Sequence, residues 1–163
     1  MRANVILRSL LLFWLMVFAV IPRAASADCP MPLTLKESQG GFVGTTGTVW
    51  AIGRDCGFTV SRFVNANISN PHRQGQLTAE QQSTLSRQLT EKAAASLPGT
   101  TVGEPPQINP HQISIEYAGR TSVLNLPAGA NALDSVKGLD QANPARRIVD
   151  ILETVKQLTG ASE

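Results

Sequence analysis

The chain has 163 residues, with 14 Lys+Arg against 12 Asp+Glu, 2 cysteines and 2 histidines. That length suits one domain behind a leader. No run of positive charge is longer than Arg146-Arg147. Nucleic acid is therefore not an expected partner, because phosphate-backbone binding needs clustered Lys and Arg.

At the N-terminus, Arg2 and Arg8 precede the continuous apolar stretch Leu10 to Ile21. Pro22 then breaks any helix. Ala25-Ser26-Ala27 is the small-x-small pattern of a signal-peptidase site, so residues 1–27 read as a cleaved signal and 28–163 as the mature domain. A spanning helix needs about 20 apolar residues, more than this run supplies, so no stable membrane anchor is expected after cleavage. A lipid anchor on Cys29 is disfavoured because Asp28 stands where a small residue is needed. Cleavage leaves 136 residues carrying 11 basic and 12 acidic side chains. The expected location is periplasmic or secreted.

In an oxidising compartment the isolated pair Cys29 and Cys56 is expected to form a disulfide, worth roughly 3–4 kcal/mol in the chain-entropy model. The alternative, a reactive or metal-binding thiol pair, lacks the spacing such sites use.

In chain order, Leu33 to Lys36 alternates apolar and polar like a strand, and Gly40-Gly41 ends it. Gly44 to Gly47 reads as a turn or bulge. Thr48 to Ile52 and Phe58 to Val64 form a hairpin around Gly53 to Gly57, with Trp50 in the core beside Ile52. Asn65 to Gln76 reads as a polar loop. Thr78 and Gln81 make a capping box for a helix whose apolar stripe is Leu85, Leu89, Ala93 and Leu97. Residues 98–110, with four prolines, read as a stiff extended connection. His111 to Tyr117 alternates with Ile113, Ile115 and Tyr117 on one face, and Leu124 and Leu126 mark its partner strand. Ala128 to Gln141 is a loop with one helical turn. The last helix opens with Asn143 as N-cap and Pro144 after it, buries Ile148, Ile151, Leu152, Val155 and Leu158, and stops at Gly160. The expected architecture is α+β, a single domain with an antiparallel sheet of about five strands and two helices on one face.

No motif for chemistry stands out. His72 and His111 have no third ligand nearby for zinc, and each reads as a loop or strand-edge residue. The tripeptide Asn-Pro-His occurs at 70–72 and 109–111, which reads as a chance echo. Gly-x-Ser-x-Gly is absent. Glu80, Glu91 and Glu116 read as solvated carboxylates rather than a glycosidase pair. Gly40-Gly41-Phe42-Val43-Gly44 lacks the Gly-Lys-Ser/Thr ending of a P-loop. No catalytic residue, metal ligand or cofactor is expected.

Gln39-Gly40-Gly41-Phe42-Val43-Gly44 resembles the Ser-Gly-Gly-Phe-Ala-Gly opening of emfourin-like proteins, the protealysin-inhibitor family. Leu77-Thr78-Ala79-Glu80-Gln81 is similar to the Leu-Thr-x-x-Glu/Gln helix start of those domains. The resemblance spans Lys36 to Leu126. The signal, the disulfide and the proline-rich connection depart from the family's pattern. The resemblance implies inhibition of thermolysin-like metallopeptidases by a docked loop. The function expected is thus a non-enzymatic, exported binding module that meets another exported protein through loops on a rigid sheet, with Gly41, Phe42 and Gly44 as the contact. A small hydrolase and a structural part of the cell envelope are the alternatives.

Overall fold

The computed structural model describes residues 29, 32–89, 97, 99, 101–105 and 108–160. The expected leader, and Glu91 and Ala93 of the expected first helix, lie outside them. Eight strands and three helices are described: β1 (Leu33–Gly41), β2 (Gly44–Ile52), β3 (Gly57–Val64), β4 (Asn67–Ile68), β5 (Arg73–Gln76), α1 (Ala79–Gln88), β6 (Thr101–Gly103), β7 (His111–Tyr117), β8 (Arg120–Leu126), α2 (Ala132–Ser135) and α3 (Pro144–Leu158).

They form one α+β fold around a mixed sheet of order β4-β3-β2-β1-β7-β8-β6, with β5 also paired to β3. The central register sets Leu33, Leu35 and Glu37 of β1 opposite Ile52, Trp50 and Thr48 of β2, and opposite Tyr117, Ile115 and Ile113 of β7. Side chains alternate along a strand, so these residues share one face. That face joins Leu85 and Leu89 after it, and Ile148, Val149, Ile151, Leu152 and Val155 of α3, in one apolar cluster. The reverse face carries Thr34, Lys36, Ser38 and Ser114, which are partly open to solvent. Its apolar part is small: the Phe63 ring lies over Gly47, where a Cβ would meet the ring at 2.8 Å, and Lys36 Nζ sits 4.9 Å from the ring centroid.

The helix N-termini are as the sequence predicts. Thr78 and Gln81 close a capping box at α1, and Asn143 caps α3 with Pro144 behind it. Cys29 and Cys56 are joined as a disulfide with Cα atoms 5.1 Å apart, which ties the chain ahead of β1 to the β2–β3 turn.

The sheet differs from the expected antiparallel five strands. Gly44 to Gly47 is not a turn but the first half of β2, paired to β1 throughout. Within the expected loop 65–76, β4 and β5 both pair with β3. Within the proline-rich connection, β6 runs parallel to β8, with Val102 opposite Leu124. These three pieces are two to four residues long. They are held by partners distant in sequence rather than by a local pattern, and β4 and β5 are exposed along their whole length. A third helix, α2, is the single turn expected between Ala128 and Gln141.

Candidate functional site

Following β1 toward its C-terminus leads out of the core and into two adjoining features. The first is the β1–β2 hairpin tip. Gly41 pairs with Gly44, leaving Phe42 and Val43 as the turn. Phe42 is 108 % exposed and Val43 73 %, so neither side chain packs on the fold. Gly44 has φ +103°, a backbone region that favours glycine, and a Cβ there would collide with the Asn65 amide.

The tip is fastened from both sides. Asn65 Oδ1 accepts from Thr45 N at 2.9 Å and Asn65 N donates to Thr45 O at 2.6 Å. On the other side Gly40 N donates to Pro110 O at 2.8 Å, and Gln39 Nε2 donates to Asn109 O at 2.8 Å. Three more exposed apolar side chains stand at this end of the sheet: Val64 at the end of β3, Ile68 in β4, and Ile108 just before the Asn109-Pro110 brace. The expected contact residues Gly41, Phe42 and Gly44 are therefore together at one hairpin tip.

The second feature is a cavity of about 740 Å³ on the helix-bearing face beside the tip. Glu37, Thr48, Trp50, Val60 and Arg62 of β1 to β3 form its floor. His72 and Arg73 form one wall, His111 and the segment 129–133 the opposite wall, and Glu153, Lys156 and Gly160 the back. Glu37 is the hub. Its Oε1 accepts from His111 Nε2 at 3.2 Å and its Oε2 from Lys156 Nζ at 2.9 Å. Lys156 also reaches Glu153 at 3.3 Å, and His111 Nδ1 lies 2.9 Å from Ala130 O.

The charges in this cluster support one another. Burial pushes the Glu37 carboxyl up, but the hydrogen bonds and charges of His111 and Lys156 outweigh it and hold the group below its ordinary value. The Glu37 hydrogen bond raises His111, against its burial and with help from Ala130 O. Burial pulls Lys156 down, and the Glu37 and Glu153 carboxylates more than restore it.

His111 is not the loop or strand-edge residue expected from sequence. It opens β7, an interior strand of the sheet, and is buried. Glu37 and Lys156 escaped the sequence reading altogether. A signal for Glu37 was present: it continues the Leu33, Leu35 register onto the core face.

The pairing of His111 with a carboxylate is half of a hydrolytic arrangement, but among the described residues the only hydroxyl side chain lining the cavity is that of Thr48. Glu80 and Glu116 are exposed. No group of His, Cys, Asp and Glu able to hold a metal exists among the described residues, and among them no helix is long and apolar enough to cross a membrane. No known family model matches the chain, and no curated protein is significantly similar to it.

Proposed function

We propose that this protein is an exported, non-enzymatic binding module of the emfourin-like kind, docking a thermolysin-like metallopeptidase through the β1–β2 hairpin tip. The observation that carries this reading is the side chain of Phe42. It is fully solvated beside Val43 on a turn fastened by backbone and amide hydrogen bonds on both sides. Leaving two adjacent apolar side chains in water gains nothing for the fold. A partner that buries them gains roughly 1.5–3 kcal/mol per side chain, and a turn already held in shape loses little freedom on binding.

The resemblance supports the same place on the molecule, because its first motif, Gln39 to Gly44, is this tip, and its second, Leu77 to Gln81, is the capping box of α1. The apolar run and the Ala25-Ser26-Ala27 site support export, and the disulfide fits an oxidising compartment. The test is titration of the mature domain, residues 28–163, against a thermolysin-like peptidase. A dose-dependent loss of peptidase activity is expected, and full activity at high molar excess overturns the inhibitor reading.

A further inference from the structure

The cavity beside the tip has chemistry that the docking reading does not use. Its two acidic residues are already satisfied from within: Glu37 by His111 and Lys156, and Glu153 by Lys156. Arg62 of the floor, and His72 and Arg73 of the adjoining wall, have no such counter-charge among the described residues. Among the described residues the side chains of Arg62 and His72 have no hydrogen-bonding or ionic partner, and Arg73 spends Nη1 on Thr159 O at 3.1 Å, leaving other N–H groups of its guanidinium open.

Three further observations point to a guest. Both histidines of the chain line this one cavity, each at the end of an Asn-Pro-His tripeptide, so the sequence echo delivers two imidazoles to opposite walls. The Trp50 indole N–H is the one buried side-chain polar atom without a hydrogen-bond partner among the described residues, and Trp50 lies in the floor. The volume falls within the range of about 300–1,000 Å³ usual for small-molecule sites.

We propose that this cavity binds a small organic anion, with a carboxylate or phosphate group held by Arg62, His72 and Arg73. Arginine's planar fork of donors matches either group in bidentate geometry. Val60, Ala130 and Leu133 line the cavity as well and give the body of such a ligand apolar contact. The proposal is independent of the docking reading.

The test is calorimetric titration of the mature protein at low ionic strength, with inorganic phosphate in one arm and citrate in the other. At least one arm is expected to saturate at one site. Saturation by phosphate alone assigns a phosphorylated ligand, by citrate alone a carboxylate, and by both the shared anion chemistry. Arg62→Ala is expected to weaken binding roughly tenfold or more, the size of one charge-assisted hydrogen bond. Arg62 is exposed, so this variant keeps its fold, which circular dichroism verifies. Arg87→Ala, an exposed arginine on α1 outside the cavity, leaves binding unchanged. Failure of both probes to saturate, or equal weakening by the two substitutions, overturns the proposal.

Discussion

The two halves of β1 face opposite demands. Leu33 and Leu35 sit buried in the apolar cluster under the helices. Four residues beyond Leu33 the same face presents Glu37, tied to a histidine and a lysine beside an open cavity, and Phe42 then stands in solvent. One strand thus runs from a closed apolar core to an open edge where a cavity and a solvated turn adjoin. Substitutions along it should separate the two by what they change.

The largest effect is expected in the first half. Leu35→Ala removes a fully buried side chain from the middle of the core, at a cost of about 2–5 kcal/mol, read from urea unfolding as a lower midpoint. It leaves the tip chemistry untouched.

At the boundary, Glu37→Gln leaves Lys156 and His111 without the carboxylate that joins them, and loses about 1–3 kcal/mol. Double-mutant cycles with Lys156→Met give the coupling, which exceeds that of the helix-surface pair Arg146–Asp150, an exposed type worth about 0.5 kcal/mol.

A smaller effect follows from pH. His111 is raised above its ordinary value of 6.5, so its contribution to stability is complete below pH 6.5 and fades as pH rises through the higher folded value. Glu37 is lowered below its ordinary value of 4.5, so its contribution is complete above pH 4.5 and fades as pH falls through the lower folded value. Between those two ordinary values both are fully present. The melting temperature should therefore decline as pH rises through the neutral range, and His111→Gln should flatten that decline.

The smallest effect on stability belongs to the tip. Phe42→Asp touches nothing in the fold and is expected to change unfolding free energy by less than about 0.5 kcal/mol.

The same contrast explains what the sequence revealed. Where a local pattern is tied to a local cause, the residues announce it: Thr78 and Gln81 cap α1, Asn143 and Pro144 open α3, and the alternation from His111 to Tyr117 sets the buried face of β7. The short strands β4, β5 and β6 exist because β3 and β8 offer them hydrogen bonds, and their own residues carry no periodicity. A turn at Gly40 to Gly44 was legible because glycines bracket an aromatic residue, but Gly44 to Gly47 is strand, because β1 pairs with it throughout. The cavity was not legible, because its lining comes from β1, β2, β3, β5, β7, the 129–133 segment and α3, and convergence of that kind leaves no spacing in the chain. Part of it was still written there. Period two carries Glu37 on from Leu35 and His111 on from Ile113, each a charged or titratable residue at a core-facing position, and Lys156 continues the Val149, Leu152 row of α3.

The most direct test compares Phe42→Asp with Arg62→Ala in titrations against a thermolysin-like peptidase. Wild type and Arg62→Ala are expected to suppress the peptidase alike, whereas Phe42→Asp, folded and as stable as wild type, leaves it active. Suppression by Phe42→Asp equal to that of wild type would contradict docking through the tip.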